Sequence, residues 1–470
     1  MRYQAEFKKY IKQHEAEFLS DLVSLLKINS EKMPKQENMP YGKGNFLVLQ
    51  EANKIAQRMG FITKNYDQRV LAVDFSEKKK GLDILAHLDV VPGGEGWTVT
   101  TPFEPKILED KIYARGSIDD KGPAMAALYA MKMIKDLAIP LDLNVRLLLG
   151  TDEECGSSDV AYYYSLEEEA PATFSPDAEY PLINVEKGRL EVDFVAHWEE
   201  ETQDRRILSI EGGIKSNVVP QKAEVVFIGI PEIILKEEIK QVESLTKAQF
   251  TYWQEEQFTH VLCTGKSAHA STPEQGNNAI TALLLLLSVL PFRSSESFTK
   301  VRQLAKLFPH GDYYGKSLGI EMSEPIAKKL TMNFGILHLT STGFFANFDS
   351  RTPVCSTKEN TEDIVEEKFK QYDISIKKKH CSFAHHVPED TPFIQTLLDC
   401  YEACTQEKGR CLSIGGGTYV HELQRGVAFG CMNLDIDYHL HGPDEFARLS
   451  DLWLSIEIFA LAIVNLCSSI

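Results

Sequence analysis

Apolar residues at Phe18, Leu19, Leu22, Leu25 and Leu26 recur at helical spacing and predict a helix over 5–26. A second helix is expected over 45–60, closing at Gly60, a residue suited to a left-handed cap. The period then drops to two. Segments 61–67 and 69–75 predict strands, and 82–86 (LDILA) is a short apolar strand that stops at His87-Leu88-Asp89 and a run of Pro92 and glycines. A short strand at 112–114 leads into a loop at 115–121. A helix from Gly122-Pro123 to Leu137 follows, with proline in its first turn. An apolar strand at 141–149, a helix at 160–166 and a strand at 172–175 continue the alternation. This pattern predicts an α/β domain built on a mixed sheet flanked by helices.

The texture changes near Lys187. Alternating segments at 189–197, 206–211, 223–230, 258–265, 334–339, 344–350 and 374–379 predict strands, with helices at 232–244, 277–290 and 361–372. Antiparallel strands covered by helices predict an α+β domain inserted into the first one. The expected organisation is therefore 1–186, the first part of one domain; 187–383, the insertion; and 384–470, the return of the first domain. That last part holds a helix at 391–404, the glycine-rich loop Gly415-Gly416-Gly417, a strand at 427–431 and a closing helix at 450–467. The apolar runs at 279–290 and 452–467 fall short of the ~20 residues of a membrane span. The second also contains Glu457 and Asn465, so both are expected to be buried helices.

A length of 470 residues fits two to three domains, and 43% hydrophobic with 25% charged residues is an ordinary globular balance. The net charge of −18 argues against nucleic-acid and anionic-membrane partners. The nine cysteines show no paired spacing and are expected to be reduced thiols. The N-terminal stretch is charged throughout and lacks an apolar signal region. Together these predict a cytoplasmic protein.

The polar residues that follow the strands change the picture. His87 and Asp89 stand two apart at a strand end, so one can bind a metal while the other braces its ring from behind. Asp119-Asp120 precede a helix, and one of the pair is expected to cap it, leaving the other free. Glu153-Glu154 follow the next core strand, Asp177 follows the one after, and His441 lies in the tail. The structural alternatives are a solvated turn acid and acids drawn to a helix N-terminus. They account for single residues better than for acids at three strand ends. Two histidines and several carboxylates, without a thiol, suit zinc or manganese. Of two adjacent glutamates, one can ligate while the other serves as a general base. More carboxylates than one ion needs suggests two ions sharing an aspartate.

The order HLD, ARGSIDDKG, GTDEE, SPDAEYP and a late HGPDE resembles the co-catalytic zinc hydrolases, the superfamily of aminoacylase, ArgE, DapE and glutamate carboxypeptidases. SPDAEYP, GKSAHASTP, IGGGTY and RGVAFG are similar to the PepV-type dipeptidases of Gram-positive bacteria. The resemblance runs from about Gly42 to the C-terminus. It implies a zinc-peptidase-like catalytic domain with an inserted α+β lid. It implies two divalent ions, zinc first and manganese as the alternative. His87 and Asp177 would hold one, Glu154 and His441 the other, with Asp119 bridging through a cis Asp119–Asp120 peptide. Asp89 would orient His87, and Glu153 would be the general base acting on a water shared by the ions. His269, from the insertion, would stabilise the oxyanion. Asn217 and Arg351 would hold the substrate carboxylate, and Gly415, Gly416 and Gly417 would make room and lend N–H groups. His439, two residues before His441, is the fallback ligand. The implied substrate is a small peptide: dipeptides in general or the β-alanyl and Xaa-His kind. An N-acyl or N-succinyl amino acid is the alternative, and a scaffold that has lost catalysis is a third reading. The insertion looks like a doubled lid, so a monomer is expected.

Overall fold

The computed structural model describes residues 3–468. The chain divides into two compact units. One comprises the chain up to Val185, His385–Ser413 and the chain from Gly417 onward; the other comprises Glu186–Ala384 and Ile414–Gly416. Sequence reading had left 414–416 with the returning first domain. They group with the second unit because Lys187 N–H donates to the Ile414 carbonyl and Arg351 Nη1 donates to the Gly415 carbonyl at 2.6 Å.

The first unit is built on a nine-stranded mixed sheet. Its centre is parallel. Strand Lys80–His87 lies between Asn144–Gly150 and Thr173–Ser175, and Gly426–Ala428 adds on beyond Thr173–Ser175. The register pairs His87 with Gly150 and Ile84 with Phe174, so the carboxyl ends of these strands open on the same edge. The strands are buried on both sides, which explains their continuous apolar runs. Helix Lys121–Asp136 packs against helix Leu449–Cys467, and helix Gln4–Leu26 packs on both. Leu449–Cys467 is long and apolar enough to cross a membrane by composition, but Leu452, Ile456, Phe459 and Ile463 are buried in the core of this unit.

The second unit is an eight-stranded, wholly antiparallel sheet with helices packed on it. Phe194, Phe308 and Phe334 stack in its core, with Phe369 tilted against Phe194 and Phe348 edge-to-face with Phe369. Two of its elements were not visible as patterns. Strand Gln249–Glu255, at the edge of the sheet, buries only Phe250 and half-buries Tyr252, too little for an apolar pattern to show. Helix Glu296–Leu307 buries only Ser297, Lys300, Val301, Leu304 and Leu307, a stripe interrupted by polar residues. All nine cysteines are free thiols.

Candidate metal centre

The carboxyl edge of the parallel strands is where ligand sites form in open α/β sheets, because the strand-to-helix loops converge there. Here three of those loops deliver acids. His87 is the last residue of its strand and is fully buried. Its Nδ1 lies 3.1 Å from the carbonyl oxygen of Asp89 and 3.4 Å from Asp89 Oδ1, so the ring is oriented from behind and Nε2 faces the carboxylates. Nε2 lies 3.0 Å from Asp119 Oδ1 and 3.5 Å from Asp177 Oδ2. The other oxygen of Asp119, Oδ2, lies 2.9 Å from His441 Nε2, which is itself 3.2 Å from Glu154 Oε1. The five residues thus fall into two sets, His87 with Asp177 and His441 with Glu154, and Asp119 turns one oxygen to each. The ligand atoms of His87, Asp119 and Glu154 alone lie within 4.8 Å of one another.

The chemistry of this donor set fits cations. Atoms sharing a tetrahedral ion at about 2.1 Å are themselves roughly 3.4 Å apart, close to the separations seen. His87 Nε2 and Glu154 Oε1 are buried and lack a hydrogen bond of good geometry. Burial disfavours charge on His87, yet contact with Asp119, Asp177 and Asp89 outweighs it and holds its pKa well above the usual value. Contact with Asp119 and Glu154 pushes His441 up to about 11. Burial likewise raises Glu153, Glu154 and Asp177; repulsion from Asp119 adds to it in all three, and from Asp177 and Glu154 in Glu153. Only Asp119 is lowered, because contact with His441 and His87 overcomes its burial. A site in which protons must hold carboxylates and imidazoles together is one where metal ions compete for the same lone pairs.

The expectation that Asp119 or Asp120 caps the following helix fails. Asp120 occupies the cap position without a side-chain cap bond. Its Oδ2 instead accepts His87 N–H at 3.0 Å, while Asp119 turns to the histidines, so the centre takes both carboxylates. The peptide between them is cis.

Asp89 lies under the glutamates. Its Oδ1 and Oδ2 accept the backbone N–H groups of Glu153 and Glu154 at 3.2 and 3.1 Å. The same turn is held from the other side by Asp159, not singled out in the sequence. Asp159 accepts Thr151 and Asp152 N–H and the hydroxyl of Tyr419, whose ring stands edge-on to His87. His441 sits on a loop in which His439, His441 and Asp444 all have left-handed backbones. That loop is pinned by two contacts. Asp444 accepts Thr98 and Val99 N–H, each at 2.9 Å, and the buried Arg115 donates to the Gly442 carbonyl and to Glu445. The exposed His439 packs edge-on against Phe446, and the histidine that pairs with Asp119 and Glu154 is His441. Arg115 sits inside ARGSIDDKG; a fully buried arginine beside an acidic loop has no periodic signal.

The remaining candidates, apart from Gly417, lie in the second unit. His269 pairs as an isolated bridge with Val218, and Ala270 N–H donates to the Asn217 carbonyl, so Asn217 and His269 are neighbours. Arg351 is half spent. Its Nε and Nη2 form a fork on Asp349 at 2.7 and 3.2 Å, and Nη1 reaches Gly415. Three of its five N–H donors are therefore engaged. Gly415 rests on Ser271: a Cβ there would come within 2.4 Å of the Ser271 Cβ. A Cβ on Gly416 would meet Ile414 Cδ1 at 3.9 Å, an ordinary contact, and Gly417 begins the next segment of the first unit.

Comparisons with known proteins converge. The model of peptidase family M20/M25/M40 matches residues 84–465. YtjP of Bacillus subtilis (strain 168) is 34% identical over 457 residues, covering 96% of this chain and 97% of that protein. The Beta-Ala-Xaa dipeptidase of Lactobacillus delbrueckii subsp. lactis is 33% identical over 466 residues, 98% of each. The solved structure of the di-peptidase Dug1p from Saccharomyces cerevisiae shares the fold across 100% of both chains, with a TM-score of 0.60 at 14% identity.

Proposed function

We propose, for a chain that belongs to peptidase family M20/M25/M40 and is a peptide-bond hydrolase of the PepV type, that its substrates are dipeptides cleaved at a two-ion centre. The observation that carries this reading is Asp119, with one oxygen turned to His87 and the other to His441. His87 and Asp177 would hold one ion, Glu154 and His441 the other, and Asp119 both. Family membership implies divalent metal; we take zinc as the ion, with manganese as the alternative, since oxygen and imidazole ligands accept either. When bound, such ions polarise the scissile carbonyl and make water acidic near neutrality.

The chain's own residues do the rest. Glu153 takes the proton from the attacking water as the new C–O bond forms, and returns it to the leaving nitrogen as the C–N bond breaks. Its carboxyl is pushed up by burial and by Asp177, Glu154 and Asp119, with His87 opposing. Asp89 fixes the turn that carries it. From the second unit we assign His269 as hydrogen-bond donor to the developing oxyanion, and Asn217 and Arg351 as anchors for the substrate's terminal carboxylate. Gly415, Gly416 and Gly417 would provide backbone room. Anchoring the terminal carboxylate favours short peptides. The relative's name points to β-alanyl dipeptides among them. We also place the protein in the cytoplasm as a monomer, on its unpaired thiols and its long second unit; a dimer by light scattering would contradict the latter.

The test is a substrate panel with Glu153→Ala beside it. Dipeptides, β-alanyl ones included, should be cleaved far faster than N-acetyl or N-succinyl amino acids. The variant should lose turnover while keeping its metal. Preference for the acylated substrates would replace the dipeptidase reading with a deacylase, and a wild-type rate in the variant would remove Glu153 as the base.

A further inference from the structure

The imidazole of His269 is held by donors on one side. Ser271 N–H donates to His269 Nδ1 at 3.2 Å, and Ser271 Oγ lies 2.7 Å from the same nitrogen. A backbone N–H can only donate, so Nδ1 must present its lone pair. In a neutral imidazole the proton then sits on Nε2. The arrangement is built in. Thr272 N–H closes a turn on the His269 carbonyl, Ala270 is tied to Asn217, and Gly415 packs against Ser271 so closely that no larger residue fits.

We propose that Ser271 is a positioning residue that fixes His269 as the neutral Nε2–H tautomer, leaving the ring able to donate a hydrogen bond from Nε2 and unable to take a proton or a metal there. The charged groups around the ring agree. Desolvation by the surrounding residues disfavours the imidazolium first, and Arg351 and Arg189 disfavour it further, while Asp349 alone pulls the other way. Asp349 is already shared between those two arginines, which blunts its effect. A histidine with a carboxylate close by is commonly read as a base or as a metal ligand. This one is wired as a donor.

The tautomer stands on the hydrogen bonds of the ring itself; its consequence for turnover rests on the oxyanion assignment made above. The experiment is long-range proton–nitrogen correlation spectroscopy on the full-length, zinc-loaded protein with ¹⁵N-histidine, the His269 signals being assigned by their loss in His269→Gln. The wild type should show a pyridine-type Nδ1 and a protonated Nε2 at pH 7. In Ser271→Ala the surviving backbone donor should hold the tautomer less firmly, admitting some Nδ1–H form and raising the pH at which the ring protonates. An Nδ1–H tautomer or an imidazolium in the wild type would overturn the proposal, as would a spectrum unaffected by Ser271→Ala. Kinetics separate the two readings. Losing one hydroxyl hydrogen bond should lower kcat about fivefold with KM unchanged. If the tautomer responds to Ser271→Ala but kcat does not, the proposal holds and the oxyanion role of His269 fails.

Discussion

Asp89→Asn isolates the turn that carries Glu153 and Glu154. The carboxylate accepts both of their backbone N–H groups, at 3.2 and 3.1 Å, and a charge-assisted bond of this kind contributes about 1.5–3 kcal/mol. Asparagine keeps one acceptor oxygen and sets an amide N–H₂ against the second N–H, so one bond is lost. His87 keeps the carbonyl oxygen of residue 89 as its nearest Nδ1 acceptor, so ring orientation should survive. If the lost bond falls on the placement of the base, kcat should drop about 10- to 150-fold. KM should change less than about twofold, because Asp89 lies behind the metal ligands. Spread over a catalytic unit of roughly 270 residues, the same loss should lower its Tm by about 3–5 °C. Asp89→Ala removes both acceptors and should be clearly worse than Asn on every measure. The assay is steady-state cleavage of a dipeptide, with metal content and melting measured on the same preparations. Equal losses in the two variants would mean that charge alone matters and would refute the hydrogen-bond account. So would a kcat for Asp89→Asn within twofold of wild type.

Two further outcomes follow from other parts of the same unit. Chelating both ions should lower the melting temperature by roughly 10 °C relative to protein held at a hundredfold excess over each Kd, since each ion then contributes about 2.7 kcal/mol; differential scanning fluorimetry with and without EDTA reads it, and an unchanged melt would count against cations between His87, Asp119 and His441. Asp83, fully buried in the central strand, has its carboxyl pushed up to about 7 by burial, Arg146 and Lys80 opposing. Its folded pKa exceeds the unfolded one, so its neutral form is favoured and stability falls as pH rises from about 4 through 7. The size is at most about 4 kcal/mol, from 1.36 kcal/mol per pKa unit. Asp83→Asn should therefore melt higher than wild type at pH 8 and alike at pH 4.5, and an equal difference at both pH values would refute this.

Local pattern carried a great deal of the molecule. Runs such as 82–86 and 141–149 announced their strands because a strand covered on both faces must be apolar along its whole length. The helix after Asp120 announced itself through Gly122-Pro123 and its apolar face. The order of acids was also readable, because Asp89, Glu153, Glu154 and Asp177 stand two to four residues beyond the ends of three strands. The strand Gln249–Glu255 and the helix Glu296–Leu307 were not legible: one has an exposed edge and the other too narrow a buried stripe.

The amino-acid sequence alone determined most of the elements and their order, the family likeness and a short set of residues able to bind cations. It could not determine which atom faces which, because that depends on strands and loops hundreds of residues apart coming into register. Tertiary structure decided that Asp119 divides its oxygens between His87 and His441, that Asp120 serves the backbone of His87 and leaves the helix uncapped, and that Asp89 holds the glutamate turn. It also decided that Asp159 and Arg115 brace the loops that carry these groups, and that Ser271 lies against His269. The physical reason is common to all of them. A buried polar atom must find a partner, and only the folded chain fixes which partner is within reach.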